Sequence, residues 1–545
     1  MLSDMKNYAF VRLLALALML LMTISGPSTR PLAALVAEPA YDLIITNGRV
    51  IDGTGNPWFH ADIGVKDGRI ARIGNIDPAA ARRVIDARGQ IVAPGFIDVH
   101  THVEGIYAQP EAGNFVRMGV TSLVTGNCGF SQTDIGKFLG RIKAEPLAVN
   151  LATLIAHGAV RSQVMGLDDR APTPEELQKM QAIVEQGMKD GAVGLSTGLI
   201  YVPGMYAKTD EVIALARVAA RFHGIYSTHM RNEGTGVVES IRESIEIGEK
   251  AGLPVEISHF KISSPRLWGQ TATTLGLVRE ARQRGLAVTV DQYAYAASST
   301  SLDVRMPDWL LAGGREEGKK RLADKATRER VVREMKEGLK KTGFKDYDYA
   351  VVAIYPPNPA FNGKSIAAIT KQVRGKTDLK NQIEQIIEMY EAGGAGMIYH
   401  GMSEKDVEQI MREPFTMIAS DSNVRPFGEG MPHPRGYGNN ARVLGHYVRD
   451  LRLLPLEDAI RKMTSLPAQT FGLRDRGLLR EGYAADIVIF DDATIADRAT
   501  FEQPHQYAVG VQFVVVNGEA VLDNGVMTKA RPGVALRGQG ATAKP

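Results

Sequence analysis

Short apolar runs broken by turn dipeptides mark both ends of the chain, while longer buried-type runs alternate with helical patterns in its middle. Between 41 and 92, Leu43-Ile44-Ile45-Thr46 leads into Asn47-Gly48, Ile51 into Asp52-Gly53, and Ile63-Gly64-Val65 into Asp67-Gly68. Asn-Gly and Asp-Gly supply the positive backbone φ that tight hairpins need, so this stretch predicts a small antiparallel β unit. The same texture returns in Ala485-Asp486-Ile487-Val488-Ile489-Phe490 and in Phe513-Val514-Val515-Val516 before Asn517-Gly518. Two β-rich ends around a different middle predict one discontinuous β-sandwich domain, built from 41–93 and 466–535. In 94–465, eight strand candidates stand at 96–100, 120–125, 147–155, 192–195, 224–229, 254–259, 286–293 and 416–421. Stretches with helical apolar spacing lie between them, at 174–189, 209–222, 236–251 and 274–284. Strands alternating with helices make a parallel sheet, and eight such units close as an α/β TIM barrel. The long charged segment 303–414 is predicted to be an insertion between the seventh and eighth strands, overhanging the barrel mouth.

Composition narrows the partners. With 44% hydrophobic and 23% charged residues the 545-residue chain can bury a large core. A formal charge of +3 without a dense Lys/Arg tract gives no electrostatic case for nucleic acid, so a small-molecule substrate is expected. Residues 1–40 read differently: Lys6 and Arg12 precede an apolar run at 13–24 that Ser25-Gly26-Pro27 breaks. That run is shorter than the roughly 20 residues a bilayer span needs, so a signal peptide and a periplasmic or secreted protein are expected. An uncleaved N-terminal membrane anchor is the alternative, and the only membrane contact anticipated. Export would favour disulfides, yet Cys128 is the only cysteine and can form none within the chain. It calls for another explanation.

Reactive side chains of a TIM barrel sit where its strands end. Five of the eight candidates end in or beside a metal-ligand residue type: His100 and His102 after the first, Cys128 after the second, His229, His259 and Asp421 at the fifth, sixth and eighth. Residues two apart on a strand share a side, so His100 and His102 can both face the axis. Gly126 and Gly129 let the Cys128 backbone approach a centre closely. Each piece alone has an ordinary structural reading, as a satisfied core histidine or a small buried hydrophobe. Their convergence at strand ends favours a metal site. Imidazole and thiolate suit zinc, and Cys128, His229 and His259 could supply the three ligands of a catalytic ion, with His100 and His102 in a second, weaker site or lining the first. A metal-bound thiolate also accounts for the unpaired cysteine. Asp421 ends a short apolar strand in a charge, which suits a general acid/base that takes a proton from water and passes it to a leaving nitrogen. His157 and His446 remain open.

Pro94-Gly95-Phe96-Ile97-Asp98-Val99-His100-Thr101-His102 resembles the first-strand signature of the amidohydrolase superfamily. A narrower set resembles the D-aminoacylase (N-acyl-D-amino-acid deacylase) family: Gly126-Asn127-Cys128-Gly129-Phe130-Ser131, Gly194-Leu195-Ser196-Thr197-Gly198, Thr228-His229-Met230-Arg231-Asn232-Glu233, Ile257-Ser258-His259-Phe260-Lys261, Ala419-Ser420-Asp421 and His433-Pro434-Arg435. The resemblance implies Cys128, His229 and His259 as principal zinc ligands, His100 and His102 as a second metal position, and Asp421 as catalytic base. It also implies hydrolysis of an N-acyl-D-amino acid to a carboxylate and a free D-amino acid; the D configuration comes from the resemblance alone. Many relatives bridge two metals with a carboxylated lysine, but Leu195-Ser196-Thr197 ends the fourth strand here, so Cys128 is expected to replace it. A free-acid substrate needs cations, and Lys261, Arg435 and the hydroxyl of Tyr293 are the candidates for its carboxylate. The alternatives are an amidohydrolase acting on a cyclic amide or dipeptide, and a binding protein that keeps the fold without the chemistry.

Overall fold

The computed structural model describes residues 39–542, so the expected signal segment lies outside the described residues. Strands Tyr41–Val50, Phe59–Lys66, Arg69–Gly74, Ala81–Asp86 and Ile91–Pro94 join Ile487–Phe490, Val511–Val516, Glu519–Asp523 and Val526–Met527 in one nine-stranded sheet. The two ends meet where Ile91–Pro94 pairs antiparallel with Ile487–Phe490. Alternation explains the unbroken apolar run at that seam. Ile487 and Ile489 point into the β-sandwich core with Ile45, Val65 and Val92, whereas Val488 and Phe490 join the core shared with the barrel.

The eight barrel strands are Phe96–Asp98, Val120–Thr125, a third strand split into Asn150–Thr153 and Ile155–Ala156, then Gly194–Gly198, Ile225–His229, Val255–Ile257, Val288–Gln292 and Thr416–Ile418. The third strand breaks at Leu154, its first half pairing with the second strand and its last half with the fourth. First and last strands are linked beyond their ends by Asp421 N to His100 O at 2.9 Å and His102 N to Ser422 O at 2.8 Å. That closure carries three site residues. The outer helices begin on local signals: Pro174–Lys189 opens with Thr173 and Glu176 capping each other's backbone, and proline in the first turn.

The segment over the mouth is bounded differently from the expected 303–414. A separate antiparallel sheet starts already at Ser298–Ser301 and includes Ala350–Ile354 and Gly396–Tyr399. It carries its own core of Leu302, Val331, Val352, Ile386 and Met397, among others. The last helix of the expected stretch, Glu404–Arg412, instead contributes Val407, Ile410 and Met411 to the barrel core and is the helix of the seventh barrel unit.

Candidate active site

The barrel interior below the mouth is polar. Ser227 and Ser258 donate to the Glu256 carboxyl at 2.7 and 2.9 Å, and Ser196 Oγ donates to Gly126 O at 2.5 Å. Asp98 receives the backbone N–H of His100 and of Ser420 at 3.2 and 3.1 Å, joining the first and last strands from inside. Burial, reinforced by Asp291, pushes the Glu256 carboxyl well above its ordinary value. The unfolded chain therefore releases that proton first, and stability from this group is full below about pH 4 and declines as pH rises above it. Glutamine fixes the neutral state. Glu256→Gln is expected to match the parent in thermal stability near about pH 4 and to gain on it as pH rises; parallel pH profiles of the two melting temperatures would show an ionised Glu256.

Above this layer, the turn after the second strand lifts Cys128 to the axis. Gly126 and Gly129 both have φ of +79°, and a Cβ on Gly129 would stand 2.8 Å from Gly198 N. The Cys128 carbonyl presses on Gly198 so closely that no side chain fits there. That contact, together with Thr197 Oγ1 donating to Thr228 Oγ1 at 2.7 Å, leaves the end of the fourth strand no room for a bridging lysine. Cys128 Sγ lies 3.3 Å from His100 Nε2, 3.6 Å from His259 Nε2 and 3.7 Å from His229 Nδ1. Cys128, His259 and Asp421 all hold positive φ, at 54°, 37° and 51°. Such a conformation costs about 1–3 kcal/mol per residue and persists only when surroundings enforce it. Here Asp291 enforces one by accepting the His259 N–H at 2.9 Å.

Carboxylates grip the outer side of the ligand rings. Asp291 meets His100 Nδ1 at 3.0 Å and Glu233 meets His259 Nδ1 at 2.9 Å, which fixes the ring orientations. His102 Nε2 reaches Asp421 Oδ1 at 3.3 Å, and Arg435 Nη1 reaches Asp421 Oδ2 at 2.9 Å. Burial opposes the charge on Asp421, but Arg435, His100 and His102 outweigh it and hold the carboxyl well below the usual range. Burial likewise opposes the Cys128 thiolate, and His100, His102 and His229 outweigh it, holding the thiol well below its ordinary value. His102 is pushed up to about 10 against burial by Asp421 and Cys128.

The ligand atoms of Cys128, His229 and His259 lie within 4.8 Å of one another, as do those of His100, His102 and Cys128 and those of His100, His259 and Asp421. Zinc bonded to sulfur and nitrogen at tetrahedral angles separates the two by about 3.5 Å. The distances from Sγ to His259 and His229 match that spacing, so the residues fit the ion. Cys128, His100 and His259 each belong to two of the three sets, so the sets share ligands and form one cluster. A cavity of about 520 Å³ opens beside these atoms, with Phe130 and Tyr201 on one side and Lys261, Arg435, Arg425 and Arg305 among its other walls.

The Amidohydrolase family model matches residues 83–289 and 384–522, and a model for the urease alpha-subunit N-terminal domain matches 29–93. A D-aminoacylase of Alcaligenes xylosoxydans xylosoxydans is 36% identical over 520 residues, covering 91% of this chain and 97% of its own. The chain belongs to the D-aminoacylase family of amidohydrolases. An N-acyl-D-glutamate deacylase of the same organism is 34% identical over 91% of the chain and 96% of its own. A solved D-aminoacylase superposes with a TM-score of 0.77 at 35% identity, covering 91% of this chain and all of that one. An N-acyl-D-glutamate deacylase from Bordetella bronchiseptica, solved with zinc and a phosphonate mimic of the tetrahedral intermediate, gives the same TM-score, identity and share of this chain, with 99% of its own covered. A D-hydantoinase at 16% identity and TM-score 0.55 shares the fold alone. This D-aminoacylase relative is therefore a metal-dependent amidohydrolase of the N-acyl-D-amino-acid deacylase type, with a TIM barrel and a β-sandwich drawn from both ends of the chain.

Of the sequence-predicted residues, His102, Cys128, His229, His259, Lys261, Asp421 and Arg435 line this cavity, whereas His100 and Tyr293 are buried behind it. Lys261 and Arg435 arrive with protein partners. Lys261 Nζ lies 2.6 Å from Glu233 and donates to His259 O at 2.8 Å, so in this state it serves the His259 surroundings. The Arg435 guanidinium lies 4.5 Å above the Tyr293 ring, and the Tyr293 hydroxyl points to Met402 Sδ at 3.4 Å. Sequence reasoning missed Asp291 and Glu233, which orient the ligand rings. Asp291 carries the signal that flagged Asp421, a lone carboxylate in an apolar strand; Glu233 lies inside the motif that supplied His229. Arg305 was missed as well, a cation of the overhanging segment facing Tyr349 Oη at 3.4 Å and the Tyr399 ring at 4.6 Å. His157 belongs to a separate buried network, its Nε2 2.9 Å from Glu211, which Arg161 also holds.

Proposed function

We propose that the protein hydrolyses the amide of N-acyl-D-amino acids to a carboxylate and a free D-amino acid, using zinc held by Cys128, His229 and His259. The carrying observation is the Cys128 sulfur ringed by three imidazoles beside Asp421, which Arg435 meets at 2.9 Å, in a cavity also lined by Lys261, Arg425 and Arg305. Zinc supplies Lewis acidity toward the amide carbonyl when bound. Asp421 accepts a proton from the attacking water at a carboxylate oxygen and returns it to the leaving nitrogen. Glu233 and Asp291 keep the imidazoles in register during that exchange, and His100 and His102 offer a second, weaker zinc position. A signal peptide and an exported location remain part of this reading on the strength of residues 1–40.

The test is a panel of acylated amino acids varied in chirality, side-chain charge and acyl group, run beside hydantoins and dihydropyrimidines. Free D-amino acid released from N-acetyl-D substrates is the expected result. Ring opening without deacylation would move the assignment to the cyclic amidases.

Arg435 is the stronger candidate for the substrate carboxylate, because its fork reaches Asp421 through one arm and leaves the other at a longer 3.3 Å from Ser299 O. Arg435→Met is expected to lower kcat/KM for free-acid substrates by about 10²–10³-fold, the usual cost of losing one partner of a buried charged pair. Metal content should be unchanged, and the loss should shrink on the matching substrate amide. Equal losses on acid and amide would mean that Arg435 acts through Asp421 and not on substrate.

A further inference from the structure

Behind the Tyr201 side of the cavity lies a second chamber of about 240 Å³ that no step of the chemistry uses. Phe130, Ile200, Tyr201, Ser301 and Val304 line both spaces, so the chamber is an annex of the active site. Tyr201 forms the partition: its ring packs edge-on to His229 at 4.9 Å and against Phe130 at 5.3 Å, and its hydroxyl meets Thr300 Oγ1 at 2.9 Å. Beyond it the walls are apolar, with Leu167, Ile200, Val202, Val304 and Leu311. The charges present, Asp303 and Arg315, pair with each other at 2.6 Å and present no net charge to an occupant. Phe130 is 47% exposed, a large apolar ring at the mouth with too little protein to cover it.

The position of the annex decides which part of a substrate enters it. Lys261, Tyr293 and Arg435 follow the sixth, seventh and eighth barrel strands, whereas Phe130 and Ile200 to Val202 follow the second and fourth. In the sheet, the fourth strand is separated from the sixth by the fifth, so the annex and the basic wall flank the ligand cluster from different sides. A scissile amide at the cluster, with its carboxylate end toward the basic wall, directs its acyl end toward Tyr201. Resting on the deacylase reading above, we infer that the annex is an acyl-chain subsite and that this protein prefers substrates acylated with medium-length aliphatic chains over N-acetyl ones. An apolar cavity of about 150 Å³ takes up benzene, so this annex holds a tail of about six to eight carbons.

The experiment is a kcat/KM series on acetyl, butanoyl, hexanoyl and octanoyl derivatives of the D-amino acid that the substrate panel ranks first. Transfer of each methylene from water is expected to raise kcat/KM by about fourfold until the annex is full. Leu167→Trp, which touches only the annex, is expected to leave acetyl hydrolysis within about twofold and bring the octanoyl rate down to the acetyl level. Leu311→Phe, at a second residue that lines only the annex, repeats the test if the first variant does not fold. A flat chain-length series on an active enzyme overturns the inference and leaves the deacylase reading intact. So does a gain that follows the amino-acid side chain and is lost in Leu167→Trp, which would give the annex to that side chain. Failure to hydrolyse any acylated amino acid overturns the deacylase reading itself.

Discussion

Cys128→Ala is expected to empty the tight metal position and to reduce deacylation to background while the barrel stays folded. Its sulfur lies 3.3, 3.6 and 3.7 Å from ring nitrogens of His100, His259 and His229, and two of the three ligand sets use it. Removing even an outer partner of a metal ligand typically costs about 10–100-fold in affinity, and a ligand shared by two positions costs more. Metal analysis of the purified variant, with circular dichroism to establish the fold, reads both parts of this expectation. Chelation of the parent should reproduce the activity loss, and added zinc should restore the parent but not the variant. Full metal occupancy and activity in Cys128→Ala would transfer the ligand role to His100 with the other imidazoles.

For Asp421→Asn the expectation is the reverse pairing: metal retained, turnover lowered by about 10²–10⁴-fold, the usual worth of an acid/base group. The substitution keeps the side chain's shape and its contact with Arg435, but an amide oxygen cannot accept and return a proton at neutral pH. Burial works against ionisation of Asp421, and Arg435 with the neighbouring histidines overcomes it, so the parent carboxylate is charged throughout the neutral range. Single-turnover kinetics on an N-acetyl-D substrate, with metal content measured on the same sample, separates a chemical defect from a binding one. Turnover close to that of the parent would assign the proton transfer elsewhere, with His102 next in line through its 3.3 Å contact with Asp421.

Strand ends were legible because a buried barrel strand that stops in histidine, cysteine or aspartate breaks its own apolar pattern. His229, His259 and Asp421 could be placed that way, and so could the helix at 174–189, whose cap is written in Thr173 and Glu176. Glu256 was not read as functional, since an inward-facing carboxyl inside a strand looks, in sequence alone, like any solvent-facing alternation, and Asp291, whose signal was legible, had no visible partner. Only the closed barrel sets Asp291 against His100, a residue 191 positions away. The boundary of the overhanging segment failed for a related reason. The apolar face of Glu404–Arg412 fits a barrel helix as well as a helix of the insertion, and spacing does not say which core that face will meet. Lys261 was placed correctly beside the site, but its partner Glu233 comes from another strand end, so pairing hid from the sequence what position did not.

The break in the third barrel strand bears on how the chain reaches this state. At Leu151 the strand's free edge is taken by residues near the other end of the chain: Leu151 N donates to Val534 O at 3.0 Å and Leu536 N donates to Leu151 O at 2.8 Å. Asn150 Oδ1 accepts the N–H of Val534, 384 positions later, at 3.1 Å. During synthesis, the early barrel strands therefore emerge with an unpaired apolar edge that stays open until the segment around Val534 has been made. Pairings over such separations form late and slowly, and an edge waiting for its partner is where intermediates associate with one another. Refolding yield should thus depend on protein concentration far more than the activity of the finished enzyme does, and the seam at Leu151 is where assistance by a chaperone would matter most.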